Sequence, residues 1–336
     1  MTWSNFIELL FCYTQKKRDA VEIAGVFPKE LKRILSTEHS GKQEDVMSNQ
    51  PVIGKNTIVG ENFKCGKNVV IRNNCIIEDN VVLGDNVYID NNCLVRNDVV
   101  IGDNSTIGAN CILGEYQMDF FMDHLYHKHE LIIGENAIIR SGCIFYSGSQ
   151  IGNDFQAGHQ VTIREKAIIG NNVSAGTFTD IQGHCKIGNY VRLHSSVHVG
   201  MSSVIDDCCW IYPYVVFTND PTPPSDTEIG VHVHAFAIVA TNSIVLPGID
   251  IESDSLIGAG TIVNRDVKKY QVVVGNPGKV KGDIRDIKNR ETGENYYPWR
   301  YHFERNMPWK NYGFDKWYES LDDEMKVMLL GNGGQS

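Results

Sequence analysis

No stretch of this chain approaches the roughly 18 consecutive apolar residues that a membrane span requires, so no bilayer-crossing helix is expected. Its nine cysteines include no Cys-x-x-Cys pair, which removes the commonest zinc and redox signatures. Basic charge is in the minority. The 31 Lys and Arg against 41 Asp and Glu leave a formal net charge of −10 and a pI of about 5.6. General nucleic-acid binding through a basic surface is therefore disfavoured, whereas a local basic pocket for a phosphorylated ligand is not. The opening run Phe6-Ile7-Glu8-Leu9-Leu10-Phe11 is short, carries Glu8 and lacks a basic leader. It reads as a helix face rather than a signal peptide, and the expected location is the cytoplasm.

What the chain does have is a six-residue rhythm. An aliphatic residue returns at every sixth position through Ile53, Val59, Ile71, Ile77, Leu83, Ile89, Val95, Ile101, Ile107 and Leu113, often followed by Gly. The phase resumes at Ile133 and runs through Ile163 and Ile211 to Phe217, then again from Val233 to Val263. A helix would require spacings of three and four, and long flat strands would require unbroken alternation. Short strands separated by turns fit instead, wound into a parallel β-helix with three hexads per coil. Cys75, Cys93, Cys111, Cys143, Cys185 and Cys209 all fall four residues after an anchor, a second inward position, and Cys65 falls on an anchor. They are expected as small core residues in a reducing compartment, not as ligands or nucleophiles.

Three regions depart from the rhythm. Residues 1–50 carry helical spacing at Trp3, Phe6, Leu9, Leu10 and Tyr13, with a second helix starting near Pro28 and a polar linker after it. The β-helix is expected over 51–276, interrupted near 115–132 and near 218–232, where Asn219-Asp220-Pro221 opens a proline-rich turn. The extension 277–336 holds an aromatic tail and a helix bearing Phe314, Trp317, Tyr318, Leu321 and Met325. These aromatics most simply brace the β-helix, with substrate contact as the alternative.

With 18 residues per coil, Arg140, Gly158, Gly176, His194 and Tyr212 share one column, and Ser141, His159, Thr177, Ser195 and Pro213 the next. Two stacked glycines leave room for another backbone or an extended ligand. His159 stands on the rim of that groove, at an outward turn position, where an imidazole is suited to general-base work. A solvated surface histidine is the simpler reading of any one of the 11. His194 and His198 are lesser base candidates, and His124, His127 and His129 lie in the first interruption.

The hexads Ile-Gly-Asp-Asn-Ser-Thr and Ile-Gly-Asn-Asn-Val-Ser, with the closing run Ile257 through Asn276-Pro277, resemble the hexapeptide-repeat acyltransferases. The stretch Phe155 through Glu165 and the segment Phe217 through Pro221 narrow the resemblance to acetyltransferases acting on nucleotide-linked amino sugars. The resemblance implies a mainly β, left-handed parallel β-helix, a homotrimer, and acetyl-CoA lying between subunits. The implied reaction moves an acetyl group to the amine of a dTDP- or UDP-linked amino sugar for surface polysaccharide or glycan biosynthesis. His159 is the implied base. Gly176, Thr177, Gly258, Ala259, Gly260 and Asn276 are the CoA-side candidates, with backbone N–H groups near Gly176 or Thr177 receiving the oxyanion. Lys279 and Lys281 follow them. Arg140, Arg164, His194, Asn219 and Asp220 are the sugar-nucleotide candidates. Arg164 alternatively pairs with Glu165, and Asp220 alternatively nucleates the proline turn. No metal is expected. Sugar O-acetylation, a longer acyl chain, a γ-type carbonic anhydrase using His159, His194 and His198, and a non-catalytic trimeric scaffold are the competing readings.

Overall fold

The structure, a computed structural model, describes residues 50–330. The helices expected over residues 1–50 lie outside the described residues. Three parallel sheets run the length of the solenoid: sheet A with thirteen strands, sheet B with eleven and sheet C with ten. A strand pairs with the one a full coil later, as in Val52 with Val70 and Ile53 with Ile71, an offset of 18 residues. Among the described strands only the last of sheet A, Lys279–Asp283, turns back antiparallel, against Gln271–Val274. Twelve parallel coils result.

The hexad explains each layer. The anchor and the residue two before it in the next turn point inward and form one continuous core from Val69 to Val273. Ile71, Ile77, Ile89, Ile107, Ile163 and Ile181 are wholly buried, each contributing roughly 1.5–3 kcal/mol through removal from water. The residue between them faces out. Each coil turns its corners through a residue in the left-handed region, at φ near 60°. In the first coils that residue is Asn, and its amide bonds to the Asn one coil on. Asn56 Nδ2 donates to Asn74 Oδ1 at 3.1 Å, Asn74 to Asn92 at 3.3 Å and Asn92 to Asn110 at 3.3 Å.

The cysteines are core residues with a specific local task. Cys75 Sγ donates to the Asp90 carbonyl at 3.1 Å, Cys93 to that of Gly108 at 3.1 Å and Cys143 to that of Gly158 at 3.2 Å. Ser149, Thr179 and Ser243 make the same bond to Arg164, His194 and Gly258. The position therefore selects a small side chain with a donor that satisfies a turn carbonyl. All eight described cysteines are free, and burial pushes the Cys185 thiol up to about 12. Such a thiol is a poor nucleophile.

The first interruption carries helix α1, Met118–Asp123, before the chain re-enters sheet C at Leu131–Ile133. Gln117 pins it by donating to the Ser147 carbonyl at 2.9 Å. The C-terminal extension folds onto sheet A around a second core of Cys208, Phe236, Trp299, Trp309 and Phe314. Arg300 forms a buried ion pair with Asp254 there, and Trp299 Nε1 donates to the Phe236 carbonyl at 3.1 Å. The single helix expected near the end is instead two, α2 (Phe314–Ser320) and α3 (Asp323–Leu330). Leu321 is extended, and Asp322 accepts from the Met325 N–H at 2.8 Å, starting a new helix. Met325 consequently points to solvent rather than to the aromatic core. Among the described residues no helix is long and apolar enough to cross a membrane.

Candidate functional site

A groove of about 610 Å³ runs along sheet A beside the Gly158 and Gly176 column. Arg140, Gly176, Thr177 and His194 line it, together with Asp154, Gln156, Ser174, Arg192, Ser195, Trp210, Arg305 and Asn306. Of the two expected causes for the glycines, a backbone or a ligand, the backbone is the one in place. A Cβ on Gly158 would fall 2.3 Å from the Thr177 nitrogen, and one on Gly176 would fall 2.4 Å from that of Ser195. The backbone that approaches is the next coil of the same chain, which leaves no room for a Cβ at these two layers, although Arg140, His194 and Tyr212 carry one elsewhere in the column. The groove is made instead by the tail, which rises beside the sheet and supplies Arg305 and Asn306 as its outer wall.

Arg192 joins wall and sheet. Its guanidinium donates to the Asn172 carbonyl, to Asn172 Oδ1 at 2.6 Å and to the Asn306 carbonyl at 2.7 Å. Burial lowers its pKa, and among the described residues it pairs with no carboxylate. His194 stacks on Tyr212 with ring centroids 4.7 Å apart and planes at 11°. Burial lowers the pKa of this imidazole, so it is neutral at pH 7. The Gly176 N–H is spent on the Leu193 carbonyl at 2.9 Å, whereas the Thr177 N–H has no acceptor among the described residues. Of the two expected oxyanion donors, only the second is available.

His159 is exposed on the corner between sheets A and B, beside the groove but not on its lining. Its backbone N–H donates to Thr177 Oγ1 at 3.2 Å, and its ring has no carboxylate partner among the described residues. His198, on sheet B, does have one: its Nδ1 lies 3.0 Å from Asp180 Oδ2. Burial alone would raise the Asp180 carboxyl, but the bonds from His198 and Gln182 hold it below the usual carboxylate range. This pairing fixes the imidazole and leaves Nε2 free to accept a proton.

The other expected residues stand apart. Arg164 forms a two-pronged pair with Glu165 at 2.8 and 3.1 Å and lies over the Tyr146 ring. Asp220 accepts from the Thr222 and Ser225 N–H groups at 3.0 Å, and the Asn219 carbonyl accepts from Ile229 at 2.8 Å, closing the proline turn. Gly258 continues the Gly176 column four coils further on, about 19 Å away at 4.8 Å per coil. A Cβ on Gly258 would strike the Val274 side chain, so that glycine serves the last parallel strand. Ala259, Gly260 and Asn276 lie at that same end, and Lys279 on the returning strand. In the first interruption His127 and His129 are held by Asp123 and Asp119, each at 2.8 Å. His159, His194 and His198 do not gather into a metal-binding group within the chain.

Sequence reasoning missed Arg192, Trp210, Arg305 and Asn306. The first two occupy ordinary outward hexad positions, and the last two have no periodic signal at all.

Two family models match the repeats: bacterial transferase hexapeptide (six repeats) over residues 80–115, and hexapeptide repeat of succinyl-transferase over residues 241–265. The bifunctional protein GlmU of Clostridium acetobutylicum is 25% identical over 149 residues, covering 44% of this chain and 31% of that protein. GlmU of a Synechococcus species is 29% identical over 160 residues, covering 43% and 34%. The chain thus spans about a third of the length of these curated relatives. Among solved structures, LpxA from Bacteroides fragilis, a UDP-N-acetylglucosamine acyltransferase, is 20% identical with a TM-score of 0.31, covering 71% of this chain and 74% of that one.

Proposed function

We propose that this chain, whose coils are hexapeptide repeats of the bacterial transferase type, is a CoA-dependent acyltransferase that moves an acetyl group from acetyl-CoA to the amine of a nucleotide-linked amino sugar, working as a homotrimer. The observation that carries this reading is the charge of the groove. Three guanidinium groups, Arg140, Arg192 and Arg305, line it with one carboxylate, Asp154, in a chain of net charge −10. A local basic groove in an acidic protein suits a diphosphate, which guanidinium groups bind through paired charge-assisted hydrogen bonds.

In this reading the sugar amine attacks the thioester carbonyl carbon. The C–S bond breaks, CoA leaves as the thiolate, and the proton on nitrogen passes to His159. The free Thr177 N–H receives the oxyanion, and neutral His194 serves as a hydrogen-bonding wall for the sugar. Gly258, Ala259, Gly260 and Asn276 mark the path of the far end of acyl-CoA. A second reading gives the base role to His198, because its Asp180 partner orients the ring.

The test measures CoA release from acetyl-CoA against a panel of nucleotide-linked amino sugars, with His159→Ala and His198→Ala alongside the parent chain. Release with an amino sugar but not with its hydroxyl analogue supports N-acetylation. Unchanged turnover in His159→Ala removes that residue as base. Failure to bind CoA overturns the reading in favour of a scaffold.

A further inference from the structure

On sheet C, outside the lining of the groove, the chain resumes its rhythm after the proline turn with His232-Val233-His234. Val233 is fully buried, and alternation therefore sends both imidazoles outward on the same face. Their rings lie 3.9 Å apart by centroid. One coil below, Asp206 follows the inward Ile205 and also points outward; one coil above, Asp250 precedes the inward Ile251. Four titratable groups from three successive coils thus meet on one patch.

Their spacing is that of a coordination sphere. Asp206 Oδ2 lies 3.1 Å from His232 Nε2 and 3.2 Å from His234 Nδ1. A tetrahedral zinc site with bonds near 2.0–2.2 Å has ligand atoms about 3.3–3.6 Å apart. The other nitrogen of His234, Nε2, lies 2.7 Å from Asp250 Oδ1. That is the arrangement in which a carboxylate takes the N–H of a metal-bound imidazole and fixes its tautomer. We infer that Asp206, His232 and His234 form a zinc site, with Asp250 orienting His234 and the fourth position left to water. Two imidazole nitrogens select a transition metal over magnesium or calcium. The side chains are 31–45% exposed, so an ion has direct access. None of these residues belongs to the groove, and the site does not depend on the reaction proposed for it.

What the ion would do follows from the coils it joins. It would tie the strand that returns from the 218–231 excursion to the coil beneath, clamping the end of a loop that otherwise rests on the Asp220 turn.

The experiment titrates ZnCl₂ into chelator-stripped full-length protein by calorimetry and follows thermal unfolding in parallel. The expected result is one Zn²⁺ per chain and a rise in Tm with zinc. Substituting His232 and His234 together by Ala should weaken binding at least 100-fold, and Asp250→Asn, which keeps shape and folding, should weaken it about 10- to 100-fold. Absence of stoichiometric binding overturns the inference. So does zinc affinity in the double variant equal to that of the parent, which would mean unspecific surface binding. Unchanged affinity in Asp250→Asn overturns the orienting role.

Discussion

The first coils and the later coils solve the same corner differently. Between Asn56 and Asn110 the left-handed corner residue is Asn nine times and Asp98 once. Between Gln160 and Tyr214 the same φ is held by Gln160, Lys166, Phe178, His184, Tyr190, Ser196, Ser202, Cys208 and Tyr214, with Asn only at 172. Asn tolerates this conformation through local hydrogen bonding, whereas bulky residues adopt it at a cost of order 1–2 kcal/mol. The early coils thus show what the fold prefers when nothing else is asked of a corner. The later ones show where something else is asked. Tyr190, Cys208 and Phe236 give up the Asn ladder to receive the aromatic tail. Phe178 and Tyr214, each 60% exposed, receive no tail residue among the described residues and stand on the edge that carries His159 and Ser195.

The largest effect that sharpens this contrast is catalytic. His159→Ala should lower turnover by roughly 10²–10⁴ if the later coils hold the base, measured as CoA release with folding checked by circular dichroism. Next comes the tail. Phe236→Asn restores the early-coil residue but removes a buried ring from the second core, and should cost about 3–5 kcal/mol in denaturant unfolding or release the tail to proteolysis. The corner exchange should then run in opposite directions. Asn74→Phe breaks two ladder bonds and strains a corner, lowering stability by about 1–2 kcal/mol. Phe178→Asn should raise stability by about 1 kcal/mol while lowering activity or self-association. A stability loss in the second variant would end the idea that the later corners are strained.

The smallest effect is a pH dependence. His194 has its pKa lowered by burial, so the unfolded chain binds more protons than the folded one just below pH 6.5. Its contribution is intact above pH 6.5 and declines as pH falls through that value. His194→Phe, which keeps the stack on Tyr212, should flatten that part of the curve of Tm against pH.

Much of the fold was legible in the sequence because a hexad states its own geometry. The anchors from Ile71 to Val263 and the six cysteine positions are buried as their spacing requires. The site was legible only in part. Columns bring Arg140, Gly176, Thr177 and His194 together, since stacking is periodic. They say nothing of Arg305 and Asn306, which reach the groove through a tail that docks by aromatic packing, 114 residues from Arg192 in sequence. The columns left open whether a backbone or a ligand approaches Gly158 and Gly176, and the chain's own next coil does. His232 and His234 sit just after the proline turn, which breaks the 18-residue register with Asp206, whereas Asp250 keeps that register with His232.

Because Arg192 bonds the Asn306 carbonyl while both residues line the groove, a ligand held by Arg192 would link groove occupancy thermodynamically to tail docking. Whatever factor the docked tail adds to ligand affinity, the bound ligand must add to the docking equilibrium of the tail. Protection of the extension from a protease is then a direct readout of groove occupancy, and it ranks ligands by affinity before any reaction has been assigned.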